Sequence, residues 1–427
     1  MWDLIVVGGG AAGLWAAGTA AARGLRVLVL EKNRKPGVKI LMSGGTRCNI
    51  THHCDIAGIV KAFGQQGRFL KPALHELPPA AVVAEINRLG VATKVEDSGK
   101  VFPVSDSAVD VRDALVRRLT EAGATLRSGV AVSDVRASDA PINDAAIEAA
   151  LTTDARWWVH TDSERLESHN VLLCCGGLSY AGCGTTGDGY AWAERAGHSL
   201  LATYPALTPL LSPAAWVHEL TGITLPDVEA RVVIEKTKSK DPRHTSRGGF
   251  LWTHFGCSGP VPMNVSRSVS AAAEPSKAVL QLDLIPDVSE HELAERLDAT
   301  RGGRKSVAAA LQPLVPRAMA ACLLKRAHVI EGAPLAELPR TSRLSLIEDL
   351  KRLQVPLNGT RGYPKAEVTA GGVNTKEVDP HTMQSRLAPG LYLAGEILDI
   401  DGPIGGFNFQ AAFSTGHMAG LHVSRPA

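Results

Sequence analysis

"DLIVVGGGAAGLWAAGTAAARGLRVLVLEK" runs from Asp3 to Lys32. It changes type three times. "LIVVG" is an unbroken apolar run meeting glycine, the pattern of a fully buried strand. "AAGLWAAGTAAARG" is a helix of small residues ending at Gly24, and "RVLVLEK" is a second buried strand. Strand, helix, strand implies a parallel pair joined by a right-handed crossover. Gly8, Gly10 and Gly13 follow G-x-G-x-x-G. The first allows a tight turn, the second lets a pyrophosphate approach the backbone, and the third lets helix and strand pack closely. Ala11 and Ala12 open the helix, whose N-terminal N–H groups and positive dipole end favour phosphate. Glu31 ends the second strand, where a carboxylate accepts hydrogen bonds from a ribose diol and disfavours a 2′-phosphate. The ligand expected here is therefore FAD or NAD.

A second glycine-rich stretch, "LDIDGPIGGFNFQAAFSTGHMAG" (Leu398–Gly420), separates those two. NAD needs little from so distant a segment. FAD carries a ribityl chain and a three-ring flavin beyond the pyrophosphate, and remote loops must hold them. "SGGTRCN" (Ser43–Asn49) and "LYLAGEILD" (Leu391–Asp399) offer such loops, with Glu396 placed to accept from ribityl hydroxyls. "GGFNFQAAFSTG" then begins a helix whose N-terminus suits the negative charge of reduced flavin. One FAD held at both ends is the expectation. On it, a side chain placed at Gly405 or Gly406 should cost cofactor and leave the fold intact.

The composition narrows the class. The 427 residues suffice for two or three domains. Net charge is +2, and no basic stripe interleaves with aromatics, so nucleic acid is not an expected partner. The densest charged stretch, Glu235–His244, reads as a solvated hairpin tip. "MWDLIVV" lacks the basic-then-apolar order of a secretory signal, and no apolar run reaches bilayer length. The seven cysteines match no zinc pattern, and "CNITHHC" (Cys48–Cys54) lies beside the glycine loop rather than in a metal motif. A reducing cytoplasm is the expected location, with no metal and no membrane.

Along the chain, "AVDVRDALVRRLTEAGA" (Ala108–Ala124) is helical, with Val111, Leu115 and Leu119 on one face. "VAVSDVRA", "RWWVHT" and "HNVLLCCGG" read as strands. Trp157 and Trp158 should point to opposite faces, one into the core and one under a loop. Short strands separated by Pro and Gly follow, then helical patterns such as "RLSLIEDLKRLQV", with Leu346, Leu350 and Leu353 on one face. The expected fold is α/β. A Rossmann-like FAD-binding domain of 1–198 plus 360–427 is interrupted by a β-rich domain of 199–288 plus 355–359, which carries a helical insert of 289–354.

On these stretches, together with "GGLSYAGCGTTGDGYAWAERAGH", "WTHFGCSGPVPMNVSR" and "VTAGGV", the chain resembles the HI0933-like flavoproteins. That group includes enzymes called aminoacetone oxidases and bile-acid-type ene reductases. The resemblance covers essentially the whole chain. It implies a two-dinucleotide-binding-domain flavoprotein fold and noncovalent FAD. The implied contacts begin at Gly8–Gly13, Glu31 with its neighbour Lys32, and Lys39. They continue through Ser43, Gly44, Gly45, Arg47, Cys48 and Asn49, then Val132, Gly176 and Gly177. Gly395, Glu396, Gly405, Gly406, Phe407 and Asn408 complete them. Thr46 stands where glycine is common, and Phe407 where tyrosine is frequent.

Substrate-pocket candidates are Arg47, Asn49, His254, Asp401 and Asn408. His254 precedes a helix expected to be capped by Ser258, with Pro260 in its first turn; Asp188 is expected to cap a helix starting at Gly189. Asp401 could bind a cationic substrate, whereas Cys174, Cys175 and Cys183 carry no redox motif. The expected activity is FAD-dependent oxidoreduction of a small organic substrate through flavin N5, as ene reduction or amine oxidation. The alternatives are a flavin-dependent RNA-modifying or RNA-binding protein and an NAD-dependent dehydrogenase. No second G-x-G-x-x-G serves a nicotinamide, so NADH or NADPH would visit the flavin transiently, or electrons come from elsewhere.

Overall fold

The computed structural model describes residues 1–138, 157–234, 244–298 and 305–424. All of the charged stretch at 235–244 except His244 lies outside them. The chain forms two units, Met1–Thr203 with Val368–Ala427, and Tyr204–Glu367. The boundaries fall a few residues after those expected. Residues 289–354 form no unit of their own.

The first leg lays down β1 (Trp2–Val7), α1 (Ala11–Ala22), β2 (Val27–Glu31) and α2 (Val38–Thr46). Next come α3 (Ala108–Glu121), β3 (Thr125–Ser128), β4 (Val132–Ala137), β5 (Trp157–Thr161), β6 (Arg165–Leu173) and α4 (Asp188–Arg195). The sheet order is β3-β2-β1-β6-β5-β4. β1 lies between β2 and β6 with every pairing parallel, Leu4 opposite both Val27 and Asn170. A strand paired on both edges and covered on both faces must be apolar throughout, and Leu4, Ile5 and Val6 are fully buried. β4 and β5 extend the sheet antiparallel. Trp157 and Trp158 are both buried; Trp157 joins the core, and Trp158 lies under the Arg165 guanidinium, 4.7 Å from its ring centroid.

The inserted unit is one antiparallel sheet with helices packed on it. Its elements are β7 (Leu210–Leu211), β8 (Thr224–Ile234), β9 (Thr245–Thr253), β10 (Gly256–Ser258) and α5 (Pro260–Ser270), then β11 (Ala278–Asp283), α6 (Arg340–Arg352), β12 (Leu353–Pro356) and β13 (Gly359–Thr360). Their order is β12-β11-β8-β9-β10-β7-β13. Leu293, Leu323, Leu346 and Leu350 join Val228, Trp252 and Leu280 in a single core, which is why the helical stretch has no independent existence. Two local expectations are corrected. Leu353 is the first residue of β12, not part of the helical face. Gly259, at φ 93°, rather than Ser258, is the N-cap of α5.

The chain returns to complete the first sheet with β14 (Leu391–Leu393), parallel to β6, and ends its described part with α7 (Phe407–His422). α7 crosses α1 at backbone contact. A Cβ on Gly416 would stand 2.3 Å from the Ala12 carbonyl oxygen, and one on Gly420 2.6 Å from that of Ala16. Hence both helices place alanine or glycine where they touch. Trp15 and Phe413 fill the wider part of the crossing, ring centroids 4.8 Å apart. Among the described residues no helix is long and apolar enough to cross a membrane.

His417 of α7 reaches Thr19 Oγ1 of α1 at 3.0 Å, and Thr19 also accepts from Arg118 of α3. Burial, then the neighbouring Arg118 charge, lowers its pKa to about 4, against the weaker pull of Glu85. Because the folded pKa is depressed, the unfolded chain binds the proton more readily. The contribution to stability is whole above about pH 6.5. It is lost as pH falls towards the folded value. Chemical denaturation at pH 7.5 and pH 5 should therefore show a drop in stability that His417→Gln reduces. An equal drop in both proteins would place the acid sensitivity elsewhere.

Candidate functional site

In the nucleotide unit the Gly8–Gly13 turn, Glu31, Gly176–Gly177 and Gly395–Glu396 lie at the C-terminal ends of β1, β2, β6 and β14. The three motif glycines differ in what surrounds them. Gly8, at φ 108°, has no room for a side chain because a Cβ would lie 2.7 Å from the Cys174 carbonyl oxygen. Gly13 is tighter, its Cβ falling 2.0 Å from the Gly8 carbonyl oxygen and 2.9 Å from Cys174 Sγ. Around Gly10 a Cβ meets nothing within 4 Å. That open face lies at the start of α1, which has neither a side-chain cap nor an acid in its first turn. The first-turn N–H groups of a helix lack intrahelical partners, and a phosphate satisfies them. Space and donors thus fit the pyrophosphate of a dinucleotide.

Glu31 is 7 % exposed and already oriented. Its Oε2 accepts from the Gly9 N–H at 2.8 Å, and its Oε1 from the main-chain N–H and side-chain amide of Asn33 at 2.8 and 2.7 Å. A carboxylate offers about four lone-pair sites, so one remains for a ribose hydroxyl. Asn33 was not among the sequence candidates, although a polar side chain two residues past the motif acid is a readable signal. Lys32 turns to Asp188 in an ion pair of 2.6 Å and also donates to Thr186 Oγ1. Asp188 is accordingly not the helix cap. That place belongs to Gly187, φ 80°, and Asp188 is the first residue of α4. Burial raises its pKa, but the bonds from Lys32 and Thr186 outweigh this and hold the carboxyl below its usual range.

At the other end, "GGTRCNIT" is a broken helix terminus. α2 loses helical geometry at Ser43, and Gly44, Gly45, Thr46 and Cys48 all have positive φ, at 56°, 68°, 69° and 64°. A Cβ on Gly45 meets nothing within 4 Å, so this loop too is open on one side. Thr46 is β-branched in a conformation that costs such residues about 1–2 kcal/mol. Thr46→Gly should relieve that strain and, after the entropy glycine loses on folding, raise the stability of the apoprotein by roughly 0.5–1 kcal/mol. A lower denaturation midpoint would show instead that the Thr46 hydroxyl, which donates to the Gly45 carbonyl at 2.6 Å, outweighs the strain.

Arg47 is held by Glu96 at 2.7 Å and lies over the Phe102 ring, 4.0 Å from its centroid. Asn49 links the two glycine regions. In the amide orientation that satisfies both partners it donates to the Thr51 carbonyl at 3.1 Å and accepts from the Gly406 N–H at 3.0 Å. His52 meets the Gly405 carbonyl at 3.1 Å through Nδ1 and stacks on Phe407 with centroids 4.6 Å apart. The C-terminal glycine loop is therefore seated on residues 49–52. A Cβ on Gly406 would come within 2.4 Å of the Thr51 carbonyl carbon, which overturns the expectation that this position tolerates a side chain. Asn408 closes its own loop, accepting from the Gly402 N–H at 2.8 Å and donating to the Gly402 carbonyl at 2.9 Å. Asp401 is 4 % exposed and not a free carboxylate.

Between these ends, Glu396 has three partners. Oε2 pairs with Lys39 at 2.7 Å, while Oε1 accepts from Ser179 Oγ at 2.7 Å and from the Thr369 N–H at 2.9 Å. Lys39 also donates to Ser179 at 2.8 Å. A single ribityl hydroxyl is the most this carboxylate could still accept. Ser179 and Thr369 were missed from sequence, where isolated hydroxyls carry no signal. Gly176 and Gly177 press on Thr185 and Thr369, with Cβ positions 2.7 Å and 2.5 Å from their side chains. Gly395 donates its N–H to Thr415 Oγ1 at 3.0 Å, and Val132 begins β4. Burial pushes the Cys48 and Cys175 thiols to about 12, so neither is a thiolate nucleophile near neutrality. His254 belongs to the inserted unit, exposed, its ring edge-on to Phe255 at 5.0 Å.

The HI0933-like protein Rossmann domain model matches residues 2–422. The ribosomal RNA dihydrouridine synthase of Escherichia coli strain K12 is 32% identical over 415 residues, covering 97% of this chain and 96% of that protein. The 3-dehydro-bile acid delta(4,6)-reductase of Clostridium scindens is 29% identical over 422 residues, 97% of each. Among solved structures, the 3-ketosteroid delta1-dehydrogenase of Sterolibacterium denitrificans superposes with a TM-score of 0.52 at 14% identity, covering 99% of both chains. A family match over nearly every residue and the shared fold lead to one conclusion: the chain belongs to the HI0933-like family and is an FAD-dependent oxidoreductase.

Proposed function

We propose that this protein saturates a carbon–carbon double bond conjugated to a carbonyl. The observation that carries the reading is the chemistry common to two of its whole-length relatives, one named for dihydrouridine in rRNA and one for a bile-acid diene. Dihydrouridine is uridine reduced at the C5–C6 bond of its ring. That bond and the bile-acid diene are both polarised by a carbonyl. The β-carbon receives hydride and the α-carbon a proton. When bound, reduced FAD would supply the hydride from N5, and NADH or NADPH would reduce the oxidised flavin again. The chain's own work is to hold the dinucleotide through the Gly10 face and Glu31, and to fix the loop at 402–408 through Asn49, His52 and Asn408. Amine oxidation recedes because Asp401, the carboxylate that would attract an ammonium group, is buried and engaged.

An rRNA nucleotide and a bile acid differ in size but share anionic oxygens, phosphodiester in one and carboxylate in the other. The expectation of no nucleic-acid partner, drawn from composition, is therefore not carried into this reading. Anaerobic mixing with NADPH or NADH should bleach the flavin. The reduced protein should then be reoxidised faster by a 3-oxo-4,6-diene bile acid or by unmodified rRNA than by buffer alone. Bleaching by a small primary amine, with peroxide formed on admitting air, would sink the reading.

A further inference from the structure

The inserted unit presents an exposed group of side chains that the dinucleotide cradle does not use. β7 lies between β10 and β13, with Leu210 opposite both Cys257 and Thr360. This brings the turn after β9 beside the residue following β13. The main chain fixes both. Ser212 N–H donates to the Phe255 carbonyl at 3.0 Å, and Arg361 N–H to that of Pro209 at 3.0 Å. Gly256, at φ 147°, has no space for a Cβ, which would stand 2.3 Å from the Leu210 carbonyl oxygen. On this frame the Arg361 guanidinium lies over the Phe255 ring, 4.5 Å from its centroid, and His254 meets the same ring edge-on at 80°.

Among the described residues the other arginines that lie over aromatic rings pair with carboxylates: Arg47 with Glu96, Arg118 with Glu85, Arg165 with Glu167 and Arg326 with Asp349. Arg361 lies over a ring without such a partner. Among the described residues neither it nor His254 makes an ion pair or a side-chain hydrogen bond, and both are exposed. Stacking on an aromatic face sets the plane of the guanidinium, and a fixed planar fork with free N–H groups matches two coplanar anionic oxygens. Ordering a long side chain in advance also lowers the entropy lost when a ligand binds.

We propose that Arg361, oriented by Phe255 and flanked by His254, is a substrate-recognition site for a pair of anionic oxygens, either a small-molecule carboxylate or an RNA phosphate. The assignment rests on the ene-reduction reading for its choice of substrate class and extends it by naming the residues that select the substrate. Its test reads binding, not turnover. The FAD-loaded protein is titrated with sodium cholate below its micelle concentration, with cholate methyl ester, and with a short fluorescein-labelled uridine-rich RNA. Arg361→Ala should weaken cholate or the RNA about tenfold, leaving the ester, the FAD content and the melting temperature unchanged. Arg361→Lys should recover only part of the loss, since an ammonium is a point charge. Loss confined to cholate identifies the carboxylate. Loss confined to RNA, with a salt dependence shallower by about one phosphate contact, identifies the phosphate. Wild-type affinity for both anions in Arg361→Ala, an equal loss for the ester, or no binding of either anion by the wild type would overturn the proposal. Binding through Arg361, with no reduction of a 3-oxo-4,6-diene bile acid or of rRNA, would leave it standing and remove the ene-reduction reading instead.

Discussion

Gly10→Val should give a folded protein that purifies colourless. A Cβ at this position meets no atom of the protein within 4 Å, and φ of −83° suits any residue. The substitution therefore adds no strain and displaces nothing from the core. The isopropyl group instead occupies the space above the first turn of α1, where a pyrophosphate must come within hydrogen-bond distance of the N–H groups. Losing that approach should raise the dissociation constant for FAD at least a hundredfold, about 3 kcal/mol. The apoprotein's circular dichroism and denaturation midpoint should stay near those of wild-type apoprotein, since glycine is only a modest N-cap. Retention of a full complement of FAD would remove the dinucleotide from this face.

Gly406→Ala should do the reverse and damage the fold with or without cofactor. At φ 90° a side chain costs about 1 kcal/mol in the left-handed region. The added methyl also overlaps the Thr51 main chain at 2.4 Å, and backbone cannot move aside as a side chain can. Together these should cost roughly 3–5 kcal/mol, a large part of the 5–15 kcal/mol typical of a native protein. Gly45→Ala is the matched control. Its φ of 68° is equally left-handed, but its Cβ meets nothing within 4 Å, so only about 1 kcal/mol should be lost. Equal effects at 45 and 406 would mean that conformation, not the seat on Thr51, sets the cost.

These contrasts mark what is readable in a chain and what is not. The βαβ unit and the helix at 407–422 are legible because hydrophobic period and glycine spacing are local properties. Which glycine faces open space and which faces backbone is not local. Gly406 is confined by Thr51, some 350 residues away in sequence, and Gly8 by Cys174. The same limit applies to caps. Ser258 and Asp188 have the right side chains, yet the preceding glycine turns place Gly259 and Gly187 at the helix starts. Ion pairing is equally hidden. Lys32, Lys39 and Arg47 are all visible as cations, but only the fold reveals that each is held by an acid distant in sequence. The same holds for Arg361, which no motif singles out.

The close crossing of α1 and α7 sets the order in which this molecule can be made. Arg23 donates to the carbonyls of Gly420 and Val423, and Asn170 to that of Ser424, so the earliest βαβ unit is finished by residues about 400 positions later. At a synthesis rate of about 5–20 residues per second, α1 leaves the ribosome at least about 20 seconds before its cover exists. During that interval its alanine- and glycine-lined face is open to other chains. The inserted unit, contiguous from Tyr204 to Glu367 and with a core of its own, can condense meanwhile. A nascent chain arrested before residue 407 should thus protect the inserted unit from protease and leave residues 1–203 open to cleavage.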